Sequence, residues 1–161
     1  MSEFDANDRI TRVFIVEERP RARTPEIQQE LDVALFDLTD ENQFRVTGNT
    51  AGGPYHLGIG MAERLLQIDV TSETGAAIQS LHLSLSPLRG TIKDYFQICE
   101  SYFDAVKRLP PSKIETIDMA RRGVHDEGAR ILTDRLEGKV ETDHATARRL
   151  FTVVCALQFR G

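Results

Sequence analysis

The spacing of apolar residues changes several times along the chain, and each change marks an element. Val13, Phe14, Ile15 and Val16 are apolar at consecutive positions within Ile10 to Glu17. Such a run predicts a strand covered on both faces. A charged connection from Glu18 to Arg23, containing Pro20, follows it. Thr24 and Pro25 then open a helix in the favoured order, cap residue before proline. Ile27, Leu31, Ala34, Leu35 and Leu38 place one stripe of that helix on the core.

From Gln43 the period becomes two, with Phe44 and Val46 on one side and Arg45 and Thr47 on the other. Gly48 to Pro54 is dense in turn formers and reads as a flexible loop. Three alternating runs come next. Tyr55, Leu57, Ile59 and Met61 form the first, Leu66, Ile68 and Val70 the second, and Leu81, Leu83 and Leu85 the third. Joined by short turns, they predict an antiparallel meander with one buried face.

The remainder has helical spacing. Ser86 and Pro87 open a helix running to about Arg108, with Ile92, Tyr95, Phe96, Cys99, Tyr102, Phe103 and Val106 inward, and Pro110 and Pro111 end it. A long helix from Ser112 to Glu137 follows. Ser112 and Glu115 have the spacing of a capping box, and Gly138 is placed for a left-handed cap. Its apolar side carries Ile114, Ile117, Val124, Gly128, Ile131, Leu132 and Leu136, and Gly123 is a point where it can break. Thr142 or Asp143 starts the last helix, striped by Ala147, Leu150, Phe151, Val154 and Leu157. The order β-α-β4-α3 predicts an α+β fold, an antiparallel sheet packed against C-terminal helices. The 161 residues are read as a single domain with residues 1–9 frayed.

Composition narrows the functional classes. Hydrophobic content of 40% and charged content of 28% describe an ordinary globular chain. A net charge of −5 disfavours a nucleic-acid partner, whose binding rests on clustered Lys and Arg. Two cysteines are too few for a disulfide framework. The charged Met1 to Arg12 is unlike a signal peptide, and no apolar run is long enough to span a membrane, so a cytoplasmic protein is expected.

Candidate chemistry gathers on the long helix. Asp118, Arg121, Arg122 and His125 are three and four residues apart, so their side chains can meet along one ridge, with Glu127 just beyond. A carboxylate beside an imidazole fixes its tautomer and raises its basicity, as a general base requires. His125, Asp118 and Glu127 are therefore the catalytic candidates. Arg121, Arg122, Arg148 and Arg149, two basic pairs on neighbouring helices, are the candidates for holding an anion. The plainer reading is a half-buried ion network joining the helices. The loop at Gly48 to Pro54 runs into a strand through a proline, unlike a P-loop, which opens into a helix. His56 and His82 lie on strands separated by a third, too far apart to share a zinc ion. His144, in the first turn of the last helix, reads as solvent-exposed. No metal site and no cofactor is expected.

The segments Ile92 to Val106, Ile117 to Gly128, Leu136 to Val140 and Thr146 to Phe151 resemble a bacterial family of uncharacterised proteins, most strongly over residues 86–157. The resemblance implies a bacterial cytoplasmic protein and transfers no residue role. The function stays unassigned. The first expectation is a small interaction or regulatory protein without catalysis that self-associates, as a homodimer. The alternative is an enzyme or binding protein for a small anionic ligand, using the ridge of Asp118, Arg121 and His125.

Overall fold

The structure, a computed structural model, describes residues 3–17 and 22–159. Most of the expected connection from Glu18 to Arg23 lies outside them. Elements run β1 (Ile10–Val16), α1 (Pro25–Asp40), β2 (Phe44–Val46), β3 (Tyr55–Ala62), β4 (Leu65–Ser72), β5 (Ala77–Ser84), a 3-10 turn at Ser86–Leu88, α2 (Arg89–Arg108), α3 (Pro111–Leu136), β6 (Val140–Thr142) and α4 (His144–Gln158). The fold is α+β.

The meander formed by β3, β4 and β5 is antiparallel with the expected faces inward. Two features of the sheets were not legible. β1 joins β3 in parallel, giving the order β1-β3-β4-β5, and β2 leaves this sheet to pair with β6 in a two-stranded ribbon. The two-sided cover expected for β1 is also absent among the described residues. β1 is an edge strand whose Phe14 and Val16 remain 40% and 57% exposed, and Arg12 stacks on the Phe14 ring. The segment expected to fray holds a buried carboxylate: Asp8 accepts from the Asp5 amide at 2.8 Å and pairs with Arg45 at 3.1 Å.

The centre of the core is α4. Every residue from Leu150 to Leu157 is buried, because α1 and α3 pack along its sides and the inner face of the sheet shares the same apolar cluster. α1 and α4 are antiparallel and cap one another. Arg23, just ahead of α1, donates from Nε to the Ala156 carbonyl in the last turn of α4 at 3.0 Å. Arg149, early in α4, donates to the Asp37 and Glu41 carbonyls at the end of α1. A cation at a helix C-terminus satisfies orphan carbonyls and opposes the negative end of the dipole.

α3 is continuous across Gly123. It starts at Pro111 with Pro110 as cap and no side-chain cap bond, so the Ser112–Glu115 capping box does not form. Two prolines already fix the backbone angles that a capping side chain would have selected. Gly138 takes the left-handed position after the helix, φ +80°, and turns the chain into β6. Toward the connection between α2 and α3, Val106, Leu109 and Met119 remain exposed. No helix among the described residues is long and apolar enough to cross a membrane.

The two glycines of α3 have opposite surroundings. A Cβ at Gly123 would meet nothing within 4 Å, whereas one at Gly128 would lie 2.4 Å from the buried Phe151 ring of α4. Gly123→Ala should stabilise the protein by about 1 kcal/mol through helix propensity. Gly128→Ala should destabilise it by about 1–3 kcal/mol through overpacking. Urea midpoints followed by circular dichroism check both, and a Gly128→Ala variant as stable as the parent would contradict the close contact.

Candidate functional site

Arg121 faces the apolar side of α3, where its charge loses water and needs a partner. The partner is Glu30 of α1: Nη2 donates to both carboxylate oxygens, at 2.8 and 2.9 Å. Asp118, the neighbour expected to pair with it, sits at 3.5 Å and also holds the exposed Arg122 at 3.0 Å. Glu30 further accepts from the Tyr95 hydroxyl at 3.2 Å and the Cys99 thiol at 3.8 Å. The guanidinium lies over the Tyr102 ring, 4.9 Å from its centroid. Burial would lower the Arg121 pKa, but the bonds and charge of Glu30 outweigh it and hold the guanidinium more firmly protonated than usual. Burial, joined by the charge of Glu30, pushes the Cys99 thiol up to about 11, so it stays protonated and is a poor nucleophile.

One turn along α3, His125 is 7% exposed, with Tyr95 and Phe151 meeting its ring edge to face. Its Nδ1 lies 2.8 Å from the Arg121 carbonyl oxygen, which can only accept, so Nδ1 carries the proton. Burial lowers the His125 pKa, and the charges of Arg121 and Arg148 lower it further against the backbone bond. The ring is therefore neutral near pH 7, with a lone pair on Nε2. That atom has no hydrogen-bond partner among the described residues. The tautomer is set by a backbone carbonyl. Asp118, two turns back, does not set it.

His125 lines a cleft of about 260 Å³ where α1, α3 and α4 meet. Glu30, Val33, Ala34 and Asp37 come from α1, Arg121 and His125 from α3, and Ala145, Arg148, Arg149 and Thr152 from α4. The helical period explains each contribution: positions i, i+3, i+4 and i+7 of α1 and of α4 share a face. Arg148 reaches Asp126 from Nη1 at 3.3 Å, and its other guanidinium nitrogens have no partner among the described residues. Arg149 uses Nη1 at the end of α1. The Thr152 hydroxyl donates to the Arg148 carbonyl at 3.2 Å. The Asp37 carboxylate makes no hydrogen bond or ion pair with any described residue.

The sequence candidates thus separate. Arg121, His125 and Arg148 meet at the cleft, and Arg149 lines it with Nη1 engaged at the end of α1. Arg122 faces solvent, and Glu127 pairs with Arg130 at 2.6 Å on the outer side. A hydrogen bond from His144 at 3.0 Å, with the Arg148 charge beside it, lowers the Asp126 pKa. His56 packs edge-on against Phe14 and lies one strand beyond the neighbour of His82. Among the described residues no group of three or more His, Cys, Asp or Glu side chains could hold a metal ion.

A family model described as Uncharacterised protein family (UPF0262) matches residues 7–160. The chain belongs to the UPF0262 family. It is 59% identical over 139 residues to a UPF0262 protein of Jannaschia sp. (strain CCS1), covering 86% of this chain and 89% of that one. It is 54% identical over 157 residues to one from Ruegeria sp. (strain TM1040), covering 95% and 99%. It is 53% identical over 154 residues to one from Paracoccus denitrificans (strain Pd 1222), covering 93% and 95%. No solved structure matches. The names of these UPF0262 relatives state no activity, substrate or partner, so the chemistry rests on the residues.

Sequence reasoning missed Glu30 and Asp37, although a signal existed. Both sit at the edge of the α1 apolar stripe, seven residues apart and on one face.

Proposed function

We propose that this UPF0262 protein is a small-molecule binding protein without catalysis, taking a small organic anion in the cleft between α1, α3 and α4. One observation carries the reading: His125, buried and neutral, has an unpartnered Nε2 in a cleft that also holds the Arg148 guanidinium. Arg148 supplies the cation and N–H donors for a carboxylate, and Nε2 accepts a hydrogen bond from an O–H or N–H of the same ligand. A volume of about 260 Å³ suits a compact molecule. Binding is favoured over catalysis because the Cys99 thiol is buried and protonated, and the His125 ring hydrogen-bonds to no carboxylate among the described residues. A cytoplasmic location fits the two buried free thiols, Cys99 and Cys155.

A second copy is the partner favoured by Val106, Leu109 and Met119, apolar and exposed at the joint end of α2 and α3. Light scattering at tens of micromolar should then give twice the monomer mass. A monomer there would remove this reading and leave the cleft untouched.

The anion reading is tested by titrating acetate and propionate into protein labelled for observation of the His125 ring nitrogens. Saturable shifts at millimolar concentrations are expected at Nε2. Arg148→Met should weaken binding about tenfold or more, the worth of one charge-assisted hydrogen bond. Absence of a saturable shift in the parent protein would contradict the proposal.

A further inference from the structure

We infer that the ligand of this cleft is a small zwitterion, an amino acid, and that Asp37 is the residue that tells it from a simple carboxylate. The inference rests on the anion-binding reading and goes beyond it by naming a second charged group on the ligand.

The charged groups of the cleft fall into two kinds. Glu30 and Arg121 neutralise one another, and Glu30 Oε1 also accepts from Tyr95 and Cys99. Arg149 places Nη1 on carbonyls at the end of α1. Capacity of both signs remains on Arg148 and Asp37. Arg148 has free guanidinium donors, and the Asp37 carboxylate has no partner among the described residues. They belong to different helices, Asp37 to α1 and Arg148 to α4, so they face the cleft from separate walls.

A simple carboxylate would satisfy Arg148 and meet an unpaired like charge at Asp37, which disfavours it. An ammonium on the same ligand turns that repulsion into attraction. His125 supports the assignment because its Nδ1 is already donating, which leaves Nε2 as an acceptor only. An acceptor inside an anion site has no use for the anion itself and needs a donor, which an ammonium provides. Val33, Ala34 and Ala145 supply a modest apolar wall, fitting a short side chain.

The test compares amino acids with their des-amino partners: alanine with propionate, valine with isovalerate, threonine with 3-hydroxybutyrate. Dissociation constants come from His125 ring-nitrogen shifts in the parent protein and in Asp37→Asn. Asp37 makes no side-chain bond with the described residues, so this variant leaves the fold's contacts in place. The amino acids should bind about tenfold more tightly than their partners. Asp37→Asn should remove most of that difference by weakening the amino acids alone. Equal affinity within each pair would overturn the zwitterion assignment and leave the anion reading standing. A difference that survives in Asp37→Asn would overturn the role given to Asp37. Failure of both classes to bind would overturn the two readings together.

Discussion

A guanidinium that loses its water between three helices has to meet a carboxylate there, and Arg121 meets Glu30. The side chains are 24% and 15% exposed, dry enough for an unpaired charge to be costly and wet enough to stay ionised. Glu30 collects more than the arginine. It also accepts from Tyr95 and Cys99 of α2, so one carboxylate on α1 fixes the position of both α2 and α3. The site inherits this order, since the carbonyl that sets the His125 tautomer belongs to Arg121. Where that residue goes, the lone pair on Nε2 follows.

The cleft is a consequence of how α4 is held. α1 and α4 run antiparallel and are pinned at both ends by Arg23 and Arg149. α3 approaches α4 closely at Gly128, where the Phe151 ring occupies the place of a side chain. At Gly128 α3 is therefore drawn against α4, and the longer Arg121 side chain bridges toward α1. Three helices that touch at some points and are propped apart at others leave a wedge between them. Its walls carry charge because those positions fall at the edges of the apolar stripes.

Much of this was legible in the sequence. The meander followed from alternation in Tyr55 to Met61, Leu66 to Val70 and Leu81 to Leu85, and the helices from their stripes and from Thr24, Pro25 and Asp143 as start signals. Short strands were harder. Alternation at Phe44 and Val46 marks β2, but β6 is three residues long, too brief for periodicity, and their pairing brings together residues about a hundred positions apart. Arg121 enters an apolar face of α3, as its spacing predicts, but its main partner lies on another helix. Local spacing makes Asp118 the obvious neighbour of Arg121, and only the packing of α1 and α3 on the shared α4 brings Glu30 to it. The capping box failed for a related reason. The pattern at Ser112 and Glu115 is real, yet Pro110 and Pro111 start the helix earlier.

The account turns on the coupling between Glu30 and Arg121, which a double-mutant cycle measures directly. Urea unfolding of Arg121→Ala, Glu30→Ala and the double variant gives the interaction free energy between the two side chains. With the pair partly shielded from water, Arg121→Ala should cost about 3 kcal/mol, the low end for a buried ion pair. Arg130→Ala, at an exposed pair, should cost less than about 1 kcal/mol. A coupling above about 2 kcal/mol is the predicted result, while additivity within about 0.5 kcal/mol would show that the two residues act independently and would contradict the central role given to the pair.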